Sequence, residues 1–290
     1  MVQLLSKNIL SENEASFLRG LSEIYYMQPI QKKIDAWVKQ SGDQQASWKK
    51  VLDSLGEILR DTQDDIEKLL DARLESGEIS DKSQAHKSIA HNILSNTVIY
   101  VFIQNKLFGN ISEKMFITSN KSIVPDFEKI STINIGKDTQ RLDIDLAIYS
   151  FKENLELNKC IILSLKTSLR ERADRIQEWK LLMEIAMSDC EVRDKYEISY
   201  DPPTIPLICF VTVNFYNEIN NPQHRGMFKF FDRAFIGKPI DPQVTDFIYP
   251  LSNLIDFANE QLFYEIFYET QSLLFLILDD DSVIRLWGKY

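Results

Sequence analysis

A chain of 290 residues with 44% hydrophobic and 26% charged side chains has material for one large domain, or a domain with a sizeable appendage, and for a proper core. No apolar run reaches the ~20 residues of a membrane span, and no basic region followed by an apolar stretch opens the chain, so a cytoplasmic location is the expectation. The formal charge of −10 argues against indiscriminate binding to a polyanion, although a nucleic-acid cleft needs only a local positive field.

In chain order, Pro29 to about Leu74 reads as a helical hairpin or small bundle. Ile34, Trp37 and Val38 form one apolar stripe; Val51, Leu52, Leu55, Ile58, Leu59, Ile66, Leu69 and Leu70 form another at three-and-four spacing. The "SGDQQAS" between them reads as a loop, with Ser47 as a helix cap. After the turn "SGEIS", a long helix carries Ile89, Ile93, Tyr100, Ile103 and Leu107 inward and ends at Gly109. Pro125-Asp126 reads as a turn. "RLDIDLAIYS" (141–150) alternates, with Leu142, Ile144, Leu146 and Ile148 on one face and Asp143 and Asp145 on the other. A polar turn (152–158) leads to the strand "KCIILSLK" (159–166), and a helix from about Arg172 to Ser188 buries Ile176, Trp179, Met183 and Ala186. "PLICFVTV" (206–213) has the continuous apolar character of a central strand, 227–237 is strand-like, and 244–262 supplies a late helix. The expectation is an α/β fold: a mixed sheet flanked by helices (81–290) preceded by a helical N-terminal region (1–80) that serves as scaffold or dimerisation element. Cys160, Cys190 and Cys209 carry no CxxC and read as free thiols; the spacing of His86 and His91 does not suit a helical zinc pair.

The residues that could carry chemistry cluster on the 141–166 hairpin. Antiparallel pairing brings Asp145 roughly opposite Lys166, with Ser164 on the lysine's face and Asp143 on the face of Asp145. Two strand-borne acids beside a strand-end lysine form a hard-oxygen site for Mg²⁺ with a cation next to it, a combination that suits phosphodiester hydrolysis. The bland alternative is an exposed edge hairpin with an ordinary salt bridge. Arg170, Glu171 and Arg172 then open a helix, where two arginines oppose the helix dipole. They suit the DNA major groove instead: arginine forks to O6 and N7 of guanine, and a carboxylate accepts from N4 of cytosine.

Taken together, "DID", Ser164-Leu165-Lys166 and the Arg-Glu-Arg triplet resemble the PD-(D/E)xK nucleases, and within them the type II restriction endonucleases that recognise CC/GG palindromes. "FFDRAFIG" is similar to a late strand of such nucleases. The resemblance implies a restriction-endonuclease-like fold and Mg²⁺ as cofactor. Of the two strand aspartates Asp145 is favoured over Asp143 as the metal ligand, with Glu178 beside it; Lys166 would assist the attacking water, and Arg170, Glu171 and Arg172 would read C·G pairs. Three departures stand out. Ser164 occupies the place of the usual acid two before the lysine. Glu178 falls one residue before the spacing of the family's helix glutamate, which would point to Trp179, so Glu184 is kept in reserve. The helix containing Gln84, Asn92 and Asn96 has no glutamate. The contiguous triplet looks more like members that tolerate a central base pair (CCNGG) than like plain CCGG members.

The resemblance therefore implies a homodimeric, Mg²⁺-dependent endonuclease acting on double-stranded DNA and leaving 5′-phosphates. A repair or structure-selective nuclease of the same fold, and a non-enzymatic interaction protein working through its helical N-terminus, are the alternatives.

Overall fold

The structure is a computed structural model that describes residues 9–167, 173–213, 222–239 and 247–262. Among these residues the chain begins with α1 (Glu12–Leu21), α2 (Met27–Lys39), α3 (Gln44–Lys50), a 3-10 turn (Val51–Ser54), α4 (Leu55–Asp61), α5 (Gln63–Glu75) and the long α6 (Lys82–Leu107). It continues through β1 (Met115–Thr118), α7 (Phe127–Ser131), β2 (Thr132–Ile135), β3 (Asp138–Arg141), β4 (Leu146–Phe151) and β5 (Leu157–Lys166). Then come α8 (Ala173–Met187), α9 (Glu191–Lys195), β6 (Ile198–Ser199), β7 (Leu207–Thr212), α10 (Pro222–Phe228), β8 (Arg233–Ile236) and β9 (Ile248–Pro250), and finally the helix α11, 253–262.

A six-stranded mixed sheet, ordered β1-β4-β5-β7-β8-β9, forms the centre. The β1/β4 and β4/β5 pairs are antiparallel, and β5, β7, β8 and β9 run parallel. Both faces are covered, as a sheet with parallel strands requires. On one side Leu146, Ile148, Ile161, Leu163, Leu165, Cys209, Val211 and Phe235 pack with the N-terminal helices, α6 and α11 in one continuous core. On the other, Tyr149, Cys160, Ile162, Ile208, Phe210 and Ile236 meet Ile176, Trp179 and Met183 of α8. The same core takes in Ile133 and Ile198 of a small sheet ordered β3-β2-β6. The fold is thus α/β, with a mixed sheet flanked by helices and a helical N-terminal region.

Several expectations change. The cap before α3 is Asp43, whose carboxylate accepts from the Ala46 amide at 3.1 Å; Ser47 lies inside the helix, buried, its hydroxyl donating to the Asp43 carbonyl at 2.5 Å. A shorter loop with a carboxylate at its end is the better cap because Asp43 meets the free amides directly. The α6 cap is Asp81, bonded to the Ser83 and Gln84 amides. This helix is buried well beyond one stripe: Leu94, Val98, Ile99, Val101 and Phe102 are as enclosed as Tyr100 and Ile103, because α6 lies between the N-terminal helices and the sheet.

The segment 141–150 is not one strand. β3 ends at Arg141, and residues 142–145 cross from the small sheet to the central one. The Leu142 amide bonds the Ser131 carbonyl at 2.9 Å, and Leu142 and Ile144 face the α8 side, whereas Leu146 and Ile148 face the helices. Residues 227–237 contain the end of a helix and only a short strand, and 248–250 is a strand rather than helix, running parallel at the sheet edge. In both places a run of aromatic and β-branched residues is apolar because it is buried, whatever its backbone does. Cys160 and Cys209 are buried free thiols, with burial alone pushing Cys160 up to about 12; Cys190 is half-buried and lowered by the Ser188 hydroxyl beside it.

Candidate active site

β5 is buried from Cys160 to Leu165 and paired with a strand on either side, so it sits in the middle of the sheet and delivers its C-terminal end to a fixed place. Cys160 and Ile162 point to the α8 side, which by the period of two puts Ser164 and Lys166 on that side as well. Asp145 immediately precedes β4, whose first residue, Leu146, pairs with Leu163 of β5. The Asp145 carboxylate turns inward there. One oxygen, Oδ2, accepts from the Leu165 amide at 2.6 Å and from Lys166 Nζ at 3.1 Å. These are charge-assisted bonds to a side chain only 9% exposed, with the lysine at 17%. The hairpin is therefore not an exposed edge: β4 is covered by β1 and β5 by β7.

Asp143 does not share the face of Asp145. Its side chain is 94% exposed and pairs with Lys121 at 3.0 Å. Because 142–145 is crossing between sheets rather than lying in a ladder, two residues along the chain no longer means one face. Ser164 is buried and its Oγ has no hydrogen-bond partner among the described residues. Glu178 lies exposed on α8, while Trp179, one position on, is buried. Glu184 is half-exposed and stands 3.7 Å from Lys180. Arg170, Glu171 and Arg172 lie outside the described residues.

Two features escaped the sequence reading. Thr212 ends β7 in register with Lys166 and is buried beside it at the strand ends; the signal was a hydroxyl closing an otherwise continuous apolar run. Lys180, on the buried side of α8, is held by both oxygens of Asp232 at 3.0 Å, and Asp232 also accepts from the Ile208 amide at 2.7 Å. That pair ties α8 to β7 and to the start of β8, behind the site; a lysine between Trp179 and Met183 in an apolar stripe was its trace in the sequence.

Asp145 and Ser164 offer hard oxygens near the C-terminal end of β5, with the Lys166 ammonium 3.1 Å from the carboxylate. Among the described residues no three His, Cys, Asp or Glu side chains form a ready-made cage. That donor set fits Mg²⁺, which takes one or two carboxylates and completes its coordination with water and substrate phosphate.

A mixed sheet with helices on both faces and a helical N-terminal region is the architecture of the restriction-endonuclease-like proteins. Residues 123–257 match the model of the family described as BsaWI restriction endonuclease type 2. That match, over a little less than half of the chain, indicates a type II site-specific deoxyribonuclease, an enzyme class whose substrate is DNA. No curated protein matches it. Among the described residues no helix is long and apolar enough to cross a membrane.

Proposed function

We propose that the protein is a Mg²⁺-dependent endonuclease that cuts double-stranded DNA at a palindrome with a CC/GG core, of the CCGG or CCNGG type, leaving 5′-phosphate and 3′-hydroxyl ends. The observation that carries this reading is the Asp145–Lys166 contact at 3.1 Å, at the end of the central strand within the matched domain. Asp145 is the metal ligand on the strand, and Glu178 on α8 is the second carboxylate, with Glu184 as its alternate. Bound there, Mg²⁺ supplies charge neutralisation at the scissile phosphate and a more acidic water.

The protein's own groups do the positioning. Asp145 holds the Lys166 ammonium in one place, where it can orient the attacking water and stabilise charge developing on the phosphate. The Leu165 amide fixes the carboxylate itself, so neither side chain needs to reorganise when substrate arrives. The Ser164 hydroxyl, with no partner among the described residues, is placed to bond a water on the same face. Immediately beyond the lysine, Arg170 and Arg172 bond guanines and Glu171 accepts from cytosine. A two-fold homodimer matches the palindrome, each subunit reading one half-site.

The test is digestion of bacteriophage DNA with Mg²⁺ followed by sequencing of the ends. One CC/GG palindrome at every end is the expected result. Ends at a different fixed sequence would remove the base-reading roles of Arg170, Glu171 and Arg172, ends confined to branches or mispairs would favour a structure-selective nuclease, and DNA left intact would overturn the proposal.

A further inference from the structure

We infer that the Lys180–Asp232 pair is a positioning device for sequence selection: it pins α8 in register on the sheet and so sets how the groups just ahead of that helix are presented relative to Lys166. The inference rests on the base-reading role proposed for Arg170, Glu171 and Arg172, and on the nuclease reading beneath it.

β5 ends at Lys166, and α8 starts at Ala173, the residue after the triplet. The segment proposed to read bases is therefore tied at one end to the strand that carries the lysine and at the other to α8. Any slide or rotation of α8 on the sheet changes the spacing between those two ends. A misplacement of about 1 Å at a working group costs up to about 10²-fold in rate, so the seat of α8 bears on selection as well as on stability.

Much of that seat is apolar. Ile176, Trp179 and Met183 share one core with Cys160, Ile162 and Phe210 of the sheet. Apolar contact is non-directional, and methionine adapts readily to small shifts. Trp179 adds no bond of its own, for its indole Nε1 is buried without a partner among the described residues. Lys180 supplies direction. Its Nζ lies 3.0 Å from each oxygen of Asp232, and its side chain is only 7% exposed. Asp232 is itself fixed twice on one residue: its amide donates to the Ile208 carbonyl at 2.9 Å, and its carboxylate accepts from the Ile208 amide at 2.7 Å. Ile208 in turn pairs with Ile162 of β5, the strand that ends at Lys166. The line of contacts from α8 to the lysine thus runs through backbone held in the centre of the sheet.

Stability alone does not account for such a pair. Taking an ammonium out of water is costly, and apolar side chains of similar volume in place of a buried ion pair are often neutral or stabilising. A methionine at 180 would fill the same space beside Trp179. What the charges add is one preferred geometry, and fixing register is the best-attested use of buried polar groups. Glu184, a turn along α8, contributes a looser contact at 3.7 Å from a half-exposed side chain, so Asp232 sets that geometry.

The experiment is single-turnover cleavage of two duplex oligonucleotides in Mg²⁺. One bears the sequence found at the ends that wild type releases from bacteriophage DNA, and the other differs from it by one base pair. Wild type is compared with Asp232→Asn and with the double variant Lys180→Met, Asp232→Asn. The double variant removes both charges, while the asparagine oxygen still accepts from the Ile208 amide. It should melt at or above the wild-type temperature, yet its preference for the unaltered duplex should fall at least about tenfold, one bidentate base contact being worth about 5- to 150-fold. A lower melting temperature leaves that comparison intact, because unfolded enzyme slows both cleavages equally and cancels in the ratio. Should the double variant not fold, Asp232→Asn alone decides in the same way. Wild-type preference in the folded variant would overturn the pin and leave the nuclease reading standing. A wild type that cuts neither duplex, or cuts both alike, would sink the inference together with the reading beneath it.

Discussion

Asp145 is the residue on which the proposed site turns, and its surroundings separate it from its neighbour. Its carboxylate accepts from a buried amide and a nearly buried ammonium, whereas Asp143 forms an exposed pair with Lys121. Asp145→Ala should abolish cleavage and cost about 1–3 kcal/mol of stability, since the Leu165 amide loses its acceptor. Asp143→Ala removes a contact worth about 0–1 kcal/mol and should leave cleavage near wild type. Parallel cleavage assays and denaturant melts of the two variants check this, and a dead Asp143 variant beside an active Asp145 variant would reverse the assignment. Lys166→Ala should lower the cleavage rate by at least about 10²–10⁴-fold while specific DNA binding survives. Single-turnover kinetics with a mobility-shift assay measures both, and full cleavage by this variant would refute the role of the lysine.

At the scale of elements, one buried ion pair joins three of them. Glu14 of α1 and Lys106 of α6 are 2.9 Å apart with both side chains fully enclosed. Glu14 also caps its own helix through Ser11 and accepts from the Ile117 amide of β1 at 3.3 Å. Lys106 donates to the Met115 carbonyl at 2.6 Å and lies over the Phe116 ring; burial lowers its pKa, and the Glu14 carboxylate works against that. Every polar atom in this knot therefore has a partner, the condition under which a buried charge pair is tolerated. Lys106→Met leaves the Glu14 carboxylate buried and uncompensated, which should cost about 3–5 kcal/mol. The double change Lys106→Met with Glu14→Gln should cost less than that single one. Urea melts of the variants test this, and additive losses would show that the two charges do not act as a pair.

For the whole molecule, the decisive fact is that one apolar core runs from α2 through α6 into the sheet. Met27, Ile30, Ile34, Leu52 and Leu55 are fully buried there together with Leu146, Ile161 and Leu163. A chain lacking residues 1–80 would expose that face of the sheet and α6, so it should lose cooperative thermal unfolding and solubility. A soluble fragment 81–290 with a sharp transition would show the opposite. The proposed two-fold pairing makes its own demand: sedimentation should give twice the 33.8 kDa of one chain, and a monomer at micromolar concentration, with or without DNA, would exclude it.

Local pattern was enough for the central strands and the buried helix stripes. β5 ending in Lys166, β7 in the middle of the sheet, and Ile176, Trp179 and Met183 inward on α8 are short-range signals written in periods of two and 3.6. Local pattern could not show that 142–145 leaves one sheet for another. Both faces of the central sheet are apolar, so a chain that changes sides keeps the same alternation as one that does not. Nor could it show that Gly56 meets Gly237, or Glu14 meets Lys106, since these contacts join residues far apart in the chain. The amino-acid order determined which groups stand at the end of β5. Packing between distant segments determined which aspartate reaches the lysine, because only the buried one is held in place by the strand beside it.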